Sequence, residues 1–376
     1  MFYQLYELQR LAAAPLAGLR MLGRMVPPWQ RPAWALGELL ARGADAVEPR
    51  LLPIESAVAA EIGAPVEAQL MHATPFVRVM RLGAGARTRH PTLLLAPHSG
   101  YSAAVLAELA ARLLVHGEVW VTDWIDARLV PAGKGAFRLA DQVAASLAVM
   151  AGADRPLHLV GLSQSVPAAM LAATAGPAPA SVLLLGGPAE PRLSPTPLQR
   201  SLAMLPRQWL LSQCTSQVAA RHPGAGRRVF PAALQLAGYA ASTPRAYLGV
   251  QLGMLAELAT DRPNGWARQY DAMHRLLDVP AELFADTLEH AVGAPVSLGP
   301  AAGHAGVRVL TVEAAADSLI GPGQTHAAHV RLEPFGARPM PATTVPEAAH
   351  HELFTGPRLG REIGPLLRAF YAAVDG

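Results

Sequence analysis

One serine lies where its hydroxyl could act as a nucleophile. Residues 161–165, Gly-Leu-Ser-Gln-Ser, differ by one residue from the G-x-S-x-G pattern, in which small residues flank a serine on a sharp strand-to-helix turn. An apolar run at 157–162 precedes Ser163, and an apolar helical stretch follows it, with Pro167 in the first turn, where proline is tolerated. This context predicts acyl transfer through Ser163. The alternative is an ordinary strand–helix turn that contains a serine.

A serine hydroxyl becomes nucleophilic only when a base takes its proton and an acid orients that base. On an α/β-hydrolase fold these groups follow in the order Ser, acid, His. Asp317 lies just beyond a predicted strand at 307–312, and His350 lies in a loop after a weaker strand at 340–345. Both positions suit a catalytic triad. The alternatives that the residues leave open are Glu313 and Asp123 for the acid, and His351 for the base.

The loop at residues 96–100, Ala-Pro-His-Ser-Gly, follows the first predicted strand of the parallel series. This is where the fold places one of its oxyanion-stabilising N–H groups. We expect the two donors to be the backbone N–H groups of Gln164 and of Ser99 or its neighbour. The side chain of His98 is expected to be structural, with substrate binding as the alternative.

The elements that must position these groups alternate between strand and helix. Short apolar runs occur at 92–96, 118–124, 157–162 and 181–186, and helical stretches separate them. This alternation predicts an α/β fold with a mostly parallel sheet flanked by helices. After residue 190 it stops, and the pattern is almost wholly helical until the strand at 307–312.

The domain organisation follows from this interruption. We predict an α/β-hydrolase core at 75–189 and 306–376, with residues 190–305 inserted between late strands as a helical cap. Residues 1–74 are predicted to form an N-terminal helical arm that packs on the core. The total of 376 residues suits one core with an insertion better than two equal domains.

Composition excludes several classes of function. The chain is 51% hydrophobic and 16% charged, which argues against disorder, and its net charge of +3 carries no clustered basic stretch that would indicate nucleic-acid binding. No apolar run reaches the length of a membrane span, and no His/Cys/Asp spacing indicates a metal. Neither G-x-G-x-x-G nor a P-loop is present, so no cofactor is expected. The lone Cys214 fits a reducing compartment, and we expect a soluble, cytoplasmic protein.

Several segments together resemble those of a known family, the intracellular polyhydroxyalkanoate depolymerases that act on poly(3-hydroxybutyrate). The similarity runs almost from end to end. The segments that carry it are the opening residues 1–10, the loop 96–100, Thr-Asp-Trp-Ile-Asp-Ala-Arg-Leu-Val-Pro at 122–131, Gly-Gly-Pro at 186–188, residues 230–236, Tyr270-Asp271, residues 278–282, Gly-Pro-Gly-Gln-Thr at 321–325, and His350 with Phe-Thr-Gly at 354–356.

The resemblance implies a set of roles. It implies Ser163 as nucleophile, Asp317 as acid and His350 as base, and it implies a polymer or granule-surface partner. Many members of the family carry cysteine where this chain has Ser163, so serine here favours water as the final acceptor. The stretch around residues 298–305 also looks shorter than in the family.

A long apolar polymer requires an apolar groove, and aromatic residues of the cap are candidates for lining it. They are Trp209, Tyr239, Tyr247 and Trp266, although aromatic residues at helical spacing more often pack in a core. Three functions stay open at this point. They are a depolymerase, a small-ester hydrolase or acyltransferase of the same fold, and a non-catalytic granule-binding protein.

Overall fold

The computed structural model describes residues 27–45, 53–83, 89–97, 100–260, 265–274, 276–299 and 306–376, with single positions 4, 8, 11 and 262. The strands are β1 Ala68–Ala73, β2 Val77–Leu82, β3 Thr92–Leu95, β4 Val119–Trp124, β5 His158–Leu162, β6 Ser181–Leu185, β7 Ser216–Gln217, β8 Arg228–Phe230, β9 Val279–Pro280, β10 Arg308–Ala314, β11 Arg338–Pro339 and β12 Thr343–Val345. The helices are α1 Arg31–Asp45, α2 Ile54–Ile62, α3 Ala107–Leu114, α4 Leu139–Gly152, α5 Val166–Ala175, α6 Pro197–Ala203, α7 Arg207–Cys214, α8 Ala232–Ser242, α9 Pro244–Thr260, α10 Trp266–His274, α11 Ala281–Leu288, α12 Ala328–Leu332 and α13 Gly364–Asp375.

Nine strands of the described chain form one mixed sheet, in the order β1-β2-β4-β3-β5-β6-β10-β11, with β12 also paired to β10. The pairs β1–β2 and β2–β4 are antiparallel. From β4 onwards the neighbouring strands are parallel. The carboxyl ends of β3, β5, β6 and β10 therefore meet at one edge, where the loops with the predicted site residues begin.

The central strands are buried on both faces, which explains their uninterrupted apolar sequences. In β6 every residue is buried. Val182 and Leu184 contribute to one hydrophobic cluster, and Leu183 and Leu185 contribute to the other, because successive side chains of a strand point to opposite faces. Helices cover both faces, and the predicted α/β class with a mostly parallel sheet is confirmed.

The chain leaves the sheet after β6 and returns to it at β10. Helices α6 to α11 lie between these two strands. The intervening segment is not wholly helical, however, because β7, β8 and β9 form a small antiparallel sheet within it. Each of these strands has only two or three residues, too few to give a period-two pattern.

The N-terminal segment differs from the prediction in two ways. Strand β1 lies inside the segment 1–74 that was predicted to be helical, and it pairs with β2. Helix α2 packs on the core through Ile54 and Val58, but α1 packs on the inserted helices. Arg42 of α1 forms an ion pair with Asp271 of α10. Helix α1 lies there because the insertion, like the core, presents an apolar surface that a helix can cover.

A buried ionic group joins the insertion to the core. Arg128, in the segment after β4, donates to both carboxylate oxygens of Asp126, and its Nε lies 3.7 Å from the carboxylate of Asp278. All three side chains are at most 1% exposed. Asp278 in turn accepts the backbone N–H of Ala232 at the start of α8. Two interior points of the inserted segment, at Ala232 and Asp278, are thus tied to the residues that follow β4.

Within the described ranges, no helix has both the length and the apolar character needed to cross a bilayer. The same residues contain no group of three or more His, Cys, Asp or Glu side chains that could hold a metal ion.

Candidate active site

Ser163 occupies a sharp turn between β5 and α5. Its φ is 50°, one of the few positive values at a residue other than glycine in the described chain. Such a conformation costs of the order of 1–3 kcal/mol, and the surroundings must hold it in place. A 3-10 turn at Ser163–Ser165 leads directly into α5, whose first turn contains Pro167 as predicted. The side chain of Ser163 is 8% exposed.

Small residues permit this turn, as the motif requires. A Cβ added to Gly161 would lie 2.6 Å from the Cβ of Ala169 in α5. A Cβ added to Gly187, in the loop after β6, would lie 2.4 Å from the carbonyl oxygen of Ser163. Both distances are shorter than van der Waals contact, so any larger residue would displace the turn.

Ser165 stands where the motif usually has glycine, and its hydroxyl has a structural role here. It donates to the carbonyl of Leu95 at 2.7 Å and accepts the N–H of Leu162 at 2.9 Å. The residue is 2% exposed. These bonds fasten the turn to the end of β3, next to the loop that carries the predicted oxyanion donor.

We expect the Ser165→Ala variant to lose about 1–3 kcal/mol of unfolding free energy, because it leaves buried backbone groups without a partner. Urea denaturation followed by circular dichroism measures this change. The matched control is Ser201→Ala, an exposed hydroxyl that bonds within its own helix, where a change below about 0.5 kcal/mol is expected. Equal stabilities of the two variants would contradict the role assigned to Ser165.

The side chains of Ser163, His350 and Asp317 form a continuous hydrogen-bonded relay. His350 Nε2 lies 2.9 Å from Ser163 Oγ, and His350 Nδ1 lies 2.6 Å from Asp317 Oδ2. The other carboxylate oxygen, Asp317 Oδ1, accepts the backbone N–H groups of Leu319 and Ile320 at 2.8 and 3.0 Å. The Asp317 side chain is 3% exposed and that of His350 is 12% exposed. In this geometry His350 can take the serine proton while the carboxylate faces its second nitrogen.

Gly186 makes room for the relay at the end of β6. Its φ is 50°, and a Cβ there would lie 2.7 Å from Leu353, 3.6 Å from His350 Nδ1 and 3.7 Å from Asp317 Oδ2. His350 is the first residue of a short 3-10 turn, His350–Leu353, and its ring lies next to Gly186. Close packing at Gly186 therefore fixes the position of the His350–Asp317 pair.

The alternative acid Glu313 has different partners. It lies in β10, and its Oε1 accepts the N–H groups of Thr325 and His326 at 2.7 and 3.0 Å, while its Oε2 accepts that of Gly323 at 2.8 Å. Burial lowers the pKa of His326, and the nearby Glu313 carboxylate opposes that shift. Glu313 therefore organises the loop after Asp317.

The remaining alternatives also have other environments. Asp123 pairs with Arg78 across β2 and β4 at 2.5 Å. Burial raises the pKa of Asp123, and the Arg78 guanidinium opposes this effect. It is His350, and not its neighbour His351, whose ring bonds Ser163 and Asp317.

Sequence reasoning missed the contribution of Thr325. Its hydroxyl accepts the N–H of Gly187 at 2.9 Å and donates to the carbonyl of the same residue at 3.0 Å. Because Gly187 packs on the carbonyl of Ser163, this bond joins the loop organised by Glu313 to the serine turn. Both segments contain motifs that resemble the family, but nothing local in the sequence signals that they pair.

The predicted oxyanion donors are only partly within the described residues. Ser99 and His98 lie outside them, whereas Gln164 is the second residue of the serine turn. The flanks of the loop are held on both sides. Ala96 donates to Thr122 Oγ1 at 2.8 Å and accepts from the Trp124 indole at 2.9 Å, and the Gly100 carbonyl accepts from Leu277.

The aromatic candidates of the insertion fall into two groups. Trp209 on α7 is 49% exposed. Tyr239, Tyr247 and Trp266 pack against the insertion's own hydrophobic cluster, which is formed by Val250, Met254, Tyr270 and Met273. Tyr239, Tyr247 and Trp266 therefore have the packing role that aromatic residues at helical spacing usually have. Contact of any of the four aromatic residues with substrate stays a prediction.

Comparisons with known proteins agree with this fold. A family model described as PHB de-polymerase C-terminus matches residues 186–375, half of the chain. A comparison with curated protein sequences gives no match. Among solved structures, a protein described as a non-heme bromoperoxidase from Mycobacterium tuberculosis is 16% identical, with a TM-score of 0.52 over 82% of this chain and 100% of that one.

Two further structures show weaker similarity. A thermophilic esterase from Thermogutta terrifontis is 15% identical, with a TM-score of 0.49 over 83% of this chain and 100% of that one. A 2-hydroxy-6-oxo-6-phenylhexa-2,4-dienoate hydrolase from Rhodococcus is 14% identical, with a TM-score of 0.46 over 82% of this chain and 99% of that one.

Proposed function

The chain belongs to the PHB depolymerase family, and from this premise we propose that it hydrolyses the ester bonds of poly(3-hydroxybutyrate) or a similar short-chain polyhydroxyalkanoate. The observation that carries the proposal is the relay of 2.9 and 2.6 Å hydrogen bonds from Ser163 through His350 to Asp317. Within a family of ester hydrolases, such a relay supports a serine mechanism.

In the proposed mechanism, Ser163 Oγ attacks an ester carbonyl carbon of the polymer while His350 Nε2 takes the hydroxyl proton. Asp317 stabilises the resulting imidazolium. The backbone N–H groups of Gln164 and Ser99 stabilise the oxyanion of the tetrahedral intermediate. When the intermediate collapses, the carbon–oxygen bond to the leaving chain breaks, and His350 returns the proton to the departing alkoxide.

Water completes the cycle. His350 removes a proton from a water molecule, which attacks the acyl group on Ser163. The second tetrahedral intermediate then expels the serine oxygen, and His350 returns the proton to Ser163 Oγ. The released product is 3-hydroxybutyrate or a short oligomer that ends in a carboxylate. Every step uses the residues of this chain and water, and the proposed partner is the polymer itself, as exposed on a granule surface.

The decisive experiment incubates the protein with amorphous poly(3-hydroxybutyrate) and measures released 3-hydroxybutyrate and oligomers by chromatography. A second reaction uses p-nitrophenyl butyrate, and a reaction without protein gives the blank. We expect release from the polymer well above the blank. Hydrolysis of the soluble ester alone would replace the proposal with a small-ester hydrolase. Sedimentation of the protein with the polymer, without hydrolysis of either substrate, would indicate a granule-binding protein.

A further inference from the structure

The insertion forms backbone hydrogen bonds with the core loop that carries the proposed oxyanion donor Ser99. Gly100, the next residue along the chain, accepts the N–H of Leu277, and Tyr101 forms an antiparallel bridge with Leu276. Leu276 and Leu277 are both buried. One side of this core loop is therefore held by residues of the insertion.

Gln235 contacts both partners of this pairing. It lies in the first turn of α8, and its Nε2 donates to the carbonyl of Leu277 at 2.9 Å. Its carboxamide also packs directly on Gly100, where an added Cβ would overlap the Oε1, Cδ and Nε2 atoms of Gln235. Gly100, Leu277 and Gln235 thus contact one another in a closed triangle.

Gly100 has the backbone conformation that permits this contact. Its φ is 85°, in the left-handed region that glycine adopts without steric cost, and the missing Cβ lets the carboxamide approach the main chain. Glycine also has more accessible conformations than any other residue, so neighbouring groups must select one of them. The N–H of Leu277 and the carboxamide of Gln235 supply these neighbours.

The insertion side of the triangle is itself attached to the core. Asp278, which follows Leu277, accepts the N–H of Ala232 at 2.9 Å and so fixes the start of the helix that carries Gln235. The carbonyl of Asp278 accepts the N–H of Ala127 at 3.1 Å, in the segment after β4. Gln235 is therefore held relative to the core as well as relative to Leu277.

The position of Gly100 matters for the proposed chemistry because Ser99 precedes it directly. A fixed Gly100 fixes one end of the short segment that carries the Ser99 N–H. Oxyanion donors are effective when they are already aimed at the developing charge before the reaction begins. A misplacement of about 1 Å, caused by a change away from the reacting atoms, can lower a rate about 100-fold.

We propose that Gln235 is a positioning residue for ester hydrolysis, which holds Gly100 against the insertion and thereby gives the adjacent oxyanion donor a fixed place. This inference rests on the proposed function and adds to it a second role for the insertion, which completes the catalytic centre besides any contact with substrate. It also accounts for a glutamine in the otherwise apolar run Phe-Pro-Ala-Ala-Leu-Gln-Leu at 230–236.

The test measures kcat and KM for p-nitrophenyl butyrate in Gln235→Met, which keeps the side-chain length and removes the N–H donor. Titration of Ser163 with a fluorophosphonate gives the concentration of folded, reactive sites. We expect kcat to fall about 10- to 100-fold while KM stays within about twofold, as for an interaction that acts in the transition state. The matched control is Gln269→Met, an exposed glutamine of α10 in the same insertion, which is expected to keep the wild-type kcat.

A tetrahedral adduct distinguishes positioning from a general effect on stability. Butyl trifluoromethyl ketone adds to a reactive serine and places an oxyanion where the tetrahedral intermediate would have one. In Gln235→Met its inhibition constant is expected to rise by about the factor by which kcat/KM falls, because both depend on the oxyanion donors.

The other outcomes decide against the inference. A wild-type kcat per titrated site, even with a lower free energy of unfolding, would show that Gln235 only stabilises the fold. A higher KM with an unchanged kcat would assign it to substrate binding, and a lower kcat with an unchanged inhibition constant would contradict a role at the oxyanion. These results leave polymer hydrolysis intact. A wild-type protein that hydrolyses no ester would overturn the proposed function and this inference together.

Discussion

The Ser163→Ala variant is expected to hydrolyse p-nitrophenyl butyrate about 10⁴- to 10⁶-fold more slowly than the wild-type protein, because the attacking oxygen is removed. The remaining rate would come from binding and from the oxyanion donors alone. Initial rates at saturating and limiting substrate give kcat and kcat/KM separately, and both are expected to fall. Since serine and alanine both carry a Cβ, the strained φ of 50° at this position is retained and the fold is expected to persist.

Two controls make this result specific. The thermal midpoint of Ser163→Ala is expected to lie within a few degrees of the wild-type value, which separates loss of chemistry from loss of structure. His350→Ala and His351→Ala then form a matched pair of neighbours, of which only His350 bonds Ser163 and Asp317. We expect a loss of several orders of magnitude for His350→Ala and little change for His351→Ala. Rates close to the wild-type rate in both Ser163→Ala and His350→Ala would exclude the serine mechanism.

The sheet was predictable because its strands are buried on both faces. Runs such as residues 181–186 are apolar throughout, and the structure has β6 there, with every residue buried. Because helices separate β3, β4, β5 and β6 along the chain, these strands are expected to pair in parallel, as they do. Local sequence therefore contained most of what determines the core.

Contacts between distant segments were not predictable in the same way. Strands β7 and β8 are two and three residues long, and only pairing across the insertion stabilises them. Helix α1 is amphipathic, and its pattern indicates that one face is covered without showing which surface covers it. The structure pairs it with the insertion, and no periodicity could have chosen this partner over the core.

The same limit applies to the candidate site. Asp317 and Glu313 are four residues apart, and both lie at or just after the end of β10. The resemblance favoured Asp317, whereas position along the chain left both open. Hydrogen bonding separates them, because the Glu313 carboxylate accepts three loop N–H groups and only Asp317 reaches His350. Partners of this kind depend on how the loop folds back, which the local pattern does not encode.

The family-like segment at 122–131 also depends on contacts with distant parts of the chain. Such a specific run of residues suggests a contact with substrate. In the structure its charged members are buried in ion pairs: Asp123 pairs with Arg78 of β2, and Arg128 pairs with Asp126 of the same segment and lies near Asp278 of the insertion. The segment begins with the last three residues of β4, and Arg128 in it ties the insertion to the core through Asp278. We infer that its specificity reflects this structural role.

Arg128→Met is accordingly expected to lower the free energy of unfolding by about 3–5 kcal/mol, the cost of leaving a buried carboxylate without its counter-charge. Arg128 is the cation bonded to Asp126 and close to Asp278, and the three side chains are at most 1% exposed. Urea denaturation followed by circular dichroism measures the loss. The matched control is Arg207→Met, whose ion pair with Glu289 has exposures of 46% and 44%, and it is expected to cost less than about 1 kcal/mol.

A double variant tests the cause of that loss. If uncompensated charge is responsible, adding Asp126→Asn to Arg128→Met removes one of the buried negative charges and is expected to recover part of the stability. The coupling between the two substitutions would then differ clearly from zero. Equal losses in Arg128→Met and Arg207→Met, or simple additivity in the double variant, would contradict the ionic explanation. In that case the packing of the long Arg128 side chain, and not its charge, would be what holds the insertion to the core.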